Sequence, residues 1–593
     1  MRTCFRRVLP LLLLLVLPGV VQAQCTFTTN NGTLTVTGYA GLAGDLIIPS
    51  ATNGLPVTGI ASWAFYYLTS LNSVTIPDTI TNIGSFAFDD CPNLTAITVD
   101  AHNSFYSSVD GVLFDQGQAT LIQCPGRKTG SFQVPDSVTS IEVDAFNSCA
   151  SLTNVTLGTN LTSIGSAAFE SCSALTSVTI PNSVTNLGSR AFSACASLTN
   201  VTLGTNLTSI GGGAFDSCTL LASITIPNSV TNIGVEAFTC CTSLAAITVA
   251  PTNTAYSSVD GVLFDLSQTT LLQCPGGKAG RYTVSNSVTS IAGYAFCSCP
   301  SLTSITIPNT VTSIGSSAFE SCTSLASLTL PNSVTNIADY AFDSCANLTS
   351  ITLPNALPSI GIYEFAGCSR LASLTIPNTV ASIGAYACSG CASLTNVTIP
   401  ASVTNIGNYA FNACTSLPGV TIPNGVASVG SYSFAGCTRL INVIIPGSVT
   451  NIGSCAFLSC TSLKGFYFQG GVPVVGSAAF YSDTQATIYY LPGTTGWAGY
   501  VALYGPALYE RLPVVLWNPQ AQTTGSSFGV RTNRFGFAIT GTSSLVIVVE
   551  ACTNLANHTW SPVSTNALTG GSSYFSDSKW TNYPARFYRL RSP

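Results

Sequence analysis

Cysteine falls at a fixed interval along most of this chain, and that interval dictates what it can fold into. Cys149, Cys172, Cys195, Cys218 and Cys241 are each 23 residues apart, as are Cys299, Cys322, Cys345, Cys368, Cys391, Cys414, Cys437 and Cys460. The gaps from Cys91 to Cys149 and from Cys241 to Cys299 are both 58, one repeat plus 35 residues. Each long gap therefore holds an insert, near residues 100–134 and 250–284. The inserts share YSSVDGVLFD, which starts at Tyr106 and again 150 residues later at Tyr256, so a 150-residue block is duplicated. A 23-residue unit cannot bury its own apolar face, whereas stacked units share a continuous core.

One unit, residues 173–195, reads SALTSVTIPNSVTNLGSRAFSAC. Val178 and Ile180 alternate with Thr179, the period of a half-buried strand, and Leu175 precedes them. Pro181-Asn182 marks a turn and stops the ladder. Val184 and Leu187 predict a second short extended piece. Gly188 ends it, where the backbone needs either freedom or close approach. Ala191-Phe192 begins a short helical or irregular turn, closed by Cys195. Stacking turns each position into a ladder: Phe recurs from Phe65 and Phe88 through Phe192 to Phe480, with Cys388 in its place once.

Composition supports a packed but unusual chain. Charged residues make up 7% and hydrophobic residues 46% of it, which excludes disorder driven by charge and low hydrophobicity. A net charge of -5 with scattered Lys and Arg offers no basic stripe for nucleic acid. Arg2, Arg6 and Arg7, the apolar run Val8–Leu17 and Val21-Gln22-Ala23 read as a signal peptide over 1–23. Beyond it no apolar run approaches the roughly 20 residues of a transmembrane span. The expected location is secreted or cell-surface.

In unit after unit the pattern is LxxVTIPxSVTxIGxxAFxxC, carried for example by Leu302, Ile305, Ile307, Pro308, Val311, Ile314, Gly315, Ala318, Phe319 and Cys322. This resembles the BspA-like leucine-rich repeat family. The resemblance implies a right-handed repeat solenoid, mainly β with short helical turns, and a parallel sheet on one face. It also implies an exported bacterial protein, some relatives of which act in adhesion or host-protein binding. Glu364 departs from the pattern in place of Ala before Phe, and Pro358 and Ala381 interrupt a Thr position.

The expected organisation is an N-terminal cap over 24–60, repeats over 61–463, a C-terminal cap over 464–517, a linker over 518–527 and a β-sandwich-like module over 528–593. The linker is polar with Gly and Pro. Strands are expected at Leu545–Glu550, Tyr574–Ser576 and Arg586–Leu590. The ending Phe587-Tyr588-Arg589-Leu590 resembles the C-terminal module of other exported multi-module bacterial proteins. Trp497 and Trp517 are candidates to cover the last rung.

Chemistry-bearing residues fit structural roles. In-register cysteines on a parallel stack lie about 4.8 Å apart, wider than the Cβ separation a disulfide prefers, so a buried thiol ladder is the better reading than disulfides or metal. His102 lies in the first insert, but the second carries Thr252 at its place; His558 stands alone. Asp110-Gly111 and Asp260-Gly261 are hairpin-turn dipeptides, with too few oxygens nearby for calcium. No acid, base, nucleophile or metal set converges, so no catalytic, cofactor or metal residue is expected and the chain is not read as an enzyme.

What is left for function is surface. Thr156, Thr179, Thr202, Thr225, Thr306, Thr329, Thr352, Thr375 and Thr398 stand outward on the first strand of successive units. A second row runs through Thr162, Thr185, Thr208, Thr231, Thr289, Thr312 and Thr335. The first row is the candidate binding surface, and Tyr106, Asp110, Tyr256 and Asp260 mark candidate insert loops. The expected function is a scaffold binding an extracellular protein or glycan in adhesion. Alternatives are a structural spacer or surface-layer component, and ice or crystalline-surface binding by the Thr rows. Thr also simply suits strands.

Overall fold

The computed structural model describes residues 25–40, 44–483, 485–497, 512–543, 545–557 and 559–591. The expected signal peptide and His558 lie outside them. Two compact units, Met1–Lys278 and Ala279–Pro593, make up the chain.

The first unit opens with the hairpin Cys25–Asn30 and Thr33–Tyr39. Its second strand pairs in parallel with Leu55–Ile60, which pairs in turn with Asn82–Ile83. Gly44–Ile47 starts a separate parallel ladder with Leu71–Ile76 and Ala96–Val99. The later rungs repeat this pair of parallel ladders. In the rung 173–195, Ser177–Thr179 pairs with Asn200–Thr202 of the next rung, and Asn186–Leu187 pairs with Ser209–Ile210. Both pairings are parallel and shifted by one 23-residue period. Leu175, Val178, Ile180, Val184, Leu187, Ala191, Phe192 and Cys195 are all buried. They are the apolar positions of the repeat pattern, and neighbouring rungs merge them into one continuous core.

The third side of each rung is a run of tight turns, and no residue from 61 to 463 is helical. Arg190 and Ala194 have φ of 56° and 57°, so a helix cannot propagate there. Backbone N–H groups alternate in direction. Those of Arg190, Phe192 and Ala194 donate to Gly212, Ala214 and Asp216 of the next rung, each at 2.8 Å. Those of Ala191, Ser193 and Cys195 donate three residues back within the rung. The turns thus form a third hydrogen-bonded ladder. Gly188 is required by close approach: a Cβ there would lie 2.4 Å from the Gly165 carbonyl carbon.

Inside, Phe rings stack on one another. Phe169–Phe192 centroids are 4.9 Å apart with planes 2° apart, and Phe192–Phe215 are at 5.6 Å. The cysteines of the repeat are free thiols. Most donate to the Phe carbonyl of the rung before, as Cys195 does to Phe169 and Cys218 to Phe192, both at 3.1 Å; Cys414 donates to Cys388, which stands in the Phe place, and Cys149 to Pro125 of the first insert. Burial pushes the Cys345 and Cys437 thiols up to about 12. A thiol suits the place because it is compact, apolar and still a weak donor.

Each insert is a three-stranded antiparallel meander: Tyr106–Val109, Val112–Asp115 and Thr120–Gln123 in the first, Tyr256–Val259, Val262–Asp265 and Thr270–Gln273 in the second. The last strand of the first insert joins the ladder through Ser140–Ile141.

The second unit continues the same rung pattern from Gly280–Thr283, paired with Leu302–Thr306. Its first ladder ends on Asn442–Ile445, Gly465–Phe468, Thr487–Tyr490 and Val514–Leu516. Trp497 is buried against Phe468 and Tyr490 there, donating to the Gly470 carbonyl at 3.0 Å. Beyond lie two antiparallel sheets. One joins Gln520–Ala521, Gly529–Arg531, Arg534–Thr540 and Ser572–Asp577; the other joins Val546–Cys552, Ser561–Ala567 and Phe587–Arg591. Strand pairing therefore reaches into the stretch read as a linker, at Gln520–Ala521. Phe537, Ile539, Ile547, Val549 and Phe575 form a shared core, and Tyr489, Val515 and Trp517 pack against it. Glu550, buried on the strand Val546–Cys552, is held by Arg589 and Arg591 at 2.8 and 2.6 Å.

Candidate interaction surfaces

Two Thr rows that look alike in the sequence are chemically different in the structure. In the second row three hydroxyls are consumed: Thr162, Thr208 and Thr312 donate to the carbonyls of Thr139, Thr185 and Thr289, one rung earlier, at 2.9, 2.8 and 3.2 Å. The first row is exposed on both units, Thr156, Thr179, Thr202 and Thr225 on one and Thr306, Thr329, Thr352, Thr375 and Thr398 on the other. Among the described residues none of these nine hydroxyls finds a side-chain hydrogen bond within the chain. Their donors and acceptors face solvent, ready for an outside partner.

The insert residues are tied into the fold. The Tyr106 hydroxyl accepts from Ile83 N–H at 2.9 Å, and Tyr256 does the same for Ile233. Each replaces the ladder partner that a regular rung would supply. Asp110 and Gly111, at φ 51° and 79°, form the tight hairpin turn, and Lys128 donates to the Asp110 carbonyl at 2.6 Å. Asp260 and Lys278 repeat this at 2.7 Å. Both aspartates are exposed at the turn tips. His102 is exposed, 3.1 Å from Asp100. Among the described residues no group of three His, Cys, Asp or Glu is placed to hold a metal.

Two aromatic features were not read from the repeat. The first is a cluster on the opening rungs. Trp63, Tyr66 and Tyr67 are 51%, 46% and 63% exposed. Trp63 stacks on Phe86 at 4.4 Å and meets Tyr66 edge-on at 5.0 Å. A cavity of about 410 Å³ lies beside Phe86, between it and Tyr106, Gln123 and Glu142, where the insert interrupts the turns. The second is a stack of Tyr340, Tyr363, Tyr386, Tyr409 and Tyr432, one per rung, at 4.4–4.8 Å. Each ring covers its neighbour's face, and the rings stay half-exposed. The signal for it was present: Tyr recurs every 23 residues two places before the Phe position. Trp63 and Phe86 hold the same place, two before Phe65 and Phe88, but their signal was weaker because the next rungs fill it with residues as varied as Asp144, Ala167, Arg190 and Gly213.

Strand, turn, thiol and Phe ladders recur together at one period, and a family profile recognises that combination. The description "BspA type Leucine rich repeat region (6 copies)" matches residues 48–127, 123–245, 289–417 and 381–500. The chain belongs to the BspA-type leucine-rich-repeat family. Similar solved structures include a leucine-rich cell surface protein from Faecalibacterium prausnitzii, 28% identical over 75% of this chain and 93% of that one, TM-score 0.39. A leucine-rich repeat protein from Eubacterium ventriosum is 22% identical over 70% of this chain and 93% of that one, TM-score 0.43. One from Bacteroides ovatus is 25% identical over 79% and 98%, TM-score 0.35. No curated protein matches the chain. As a BspA-type protein it is a repeat scaffold, and its described residues include no helix long and apolar enough to cross a membrane.

Proposed function

We propose that this BspA-type chain is an extracellular adhesion scaffold that grips a partner protein through the aromatic cluster Trp63, Tyr66, Tyr67 and Phe86. The exposure of Trp63, Tyr66 and Tyr67 carries the reading. Trp and Tyr concentrate binding energy at protein interfaces because they bury large area at low entropic cost. Elsewhere the strand faces offer Thr, Ser and Asn, whose contacts are individually weak and add up only by repetition. The unpartnered Thr row is the natural place for such secondary contacts.

The test is retention of extracellular proteins by the immobilised chain. Trp63→Ala with Tyr67→Ala should cut retention at least tenfold, since each truncated anchor costs on the order of 1–2 kcal/mol. Circular dichroism should be unchanged, both side chains being largely exposed. Thr179→Val with Thr202→Val should weaken retention only a few-fold. If no protein is retained, the adhesion reading fails and the spacer role stands in its place.

A further inference from the structure

The exposed Thr row of the second unit does not run on uniformly. In register, Thr421 is followed by Ile444, Tyr467, Tyr489 and Val515. Where hydroxyls give way to rings, a groove of about 740 Å³ opens, lined by Asn396, Thr398, Thr421, Gln469, Tyr467 and Arg591. That volume lies within the range of small-ligand sites. A second cavity of about 600 Å³ shares Gly419, Asn442 and Tyr467 with it and continues to Lys464 and Tyr489. We propose that this groove binds a neutral oligosaccharide, with one sugar ring stacked on Tyr467.

Three observations converge on that ligand class. First, one face of Tyr467 is covered by Tyr489 at 4.9 Å, and Trp517 meets both rings edge-on at 5.7 Å. The ring is thereby fixed, and its other face turns toward Ile444 and the groove. A Cβ on Gly465 would sit 2.7 Å from a Tyr467 ring carbon, so only glycine lets the ring lie along its own strand. The negative face of a held aromatic ring suits the polarised C–H face of a pyranose.

Second, polar groups that face the groove have no partner of their own. Among the described residues, the side chains of Asn396, Thr398, Thr421 and Gln469 and the Tyr467 hydroxyl make no hydrogen bond within the chain. Planar amides and hydroxyls, donor and acceptor together, match the vicinal hydroxyls of a sugar. At the strand position that carries an amide in Asn396 and Asn442, Gly419 has none and open space above it, which widens the floor.

Third, the groove's own cation is already answered. The Arg591 Nε donates to Glu550 at 2.6 Å, no carboxylate lines either cavity, and Lys464 lines only the second. The volumes of the two cavities, about 740 and 600 Å³, and the lining they share favour a chain of sugars over a single one. These residues are distinct from the Trp63 cluster, so the proposal goes beyond the protein-contact reading and does not depend on it.

The experiment titrates the full chain with cellohexaose, maltohexaose and chitohexaose by calorimetry. At least one neutral hexasaccharide should bind, with Kd on the order of 10–1,000 μM for a site of a few hydrogen bonds and one stacked ring. Tyr467→Ala should weaken binding at least tenfold, and Tyr467→Trp should retain it. Thr421→Val and Asn396→Ala, both on exposed positions, should each weaken it a few-fold with an unchanged melting curve; they keep the test valid if Tyr467→Ala disturbs folding. Trp63→Ala should leave sugar binding intact while reducing protein retention. Absence of binding to all three, binding indifferent to Tyr467 and Thr421, or binding confined to sialylated or sulfated sugars would each overturn the proposal.

Discussion

Glu364 stands where the repeat places Ala, and its surroundings make stability of that rung depend on pH. The side chain is fully buried. Its Oε2 accepts from Gly361 N–H at 2.6 Å, while Oε1 has no partner. Burial above all, with the nearby Asp339 carboxylate, raises its pKa from 4.5 to about 8, against the opposing pull of the Gly361 bond. The folded state therefore holds the proton more tightly than the unfolded chain. The stabilising contribution is complete below about pH 4.5 and is lost as pH rises through about 8. At about 1.4 kcal/mol per tenfold difference, that gap amounts to roughly 4–5 kcal/mol, of which roughly 3 kcal/mol is gone by pH 7. Glu364→Gln keeps the shape and cannot ionise. Amide exchange across Ser359–Cys368, followed in urea at pH 5, 7 and 9, should show the wild-type rung loosening steeply with pH and the variant holding nearly level. The difference between the two isolates Glu364 from every other titrating group. Equal slopes in both proteins would refute the reasoning.

Three further outcomes follow from the ladders. Thr208→Val removes a 2.8 Å bond to the Thr185 carbonyl and should cost about 1 kcal/mol; Thr202→Val, which loses no bond, should stay within about 0.5 kcal/mol in the same urea melts. Cys218→Ala leaves the Phe192 carbonyl without its thiol donor and opens a small void, for a loss of about 1–3 kcal/mol. Titration of the denatured, unreduced protein with a thiol reagent should find the 22 described cysteines free; a count near zero would remove the thiol ladder.

Most of the fold was legible because its signals repeat. The alternation of Val178 and Ile180 with Thr179 recurs in most units, so one reading serves those rungs, and the core positions follow from it. The third side was not legible. Its left-handed residues are Arg190 and Ala194 rather than Gly or Asn, because bonds to the next rung hold them there against their local preference. Asp110-Gly111 was readable for the opposite reason, since local preference and turn geometry agree. The two Thr rows could not be told apart, since both are exposed and only the folded stack decides which hydroxyls reach a carbonyl of the previous rung. Tyr467 and Arg591 escaped notice because 124 residues separate them and no repeat relates them.

One consequence reaches from bonding to mechanics. The described ladder bonds of a regular rung, such as those of Arg190, Phe192, Thr208 and Cys218, run to the rung before or the rung after. Tension along the polypeptide therefore meets a series of like fasteners rather than one large cooperative lock. Under pulling, such a chain yields a unit at a time, each releasing 23 residues and so about 80 Å of slack at full extension. A tether with that behaviour absorbs a tug by lengthening in steps while its outer contacts stay attached, and single-molecule stretching would display those steps directly.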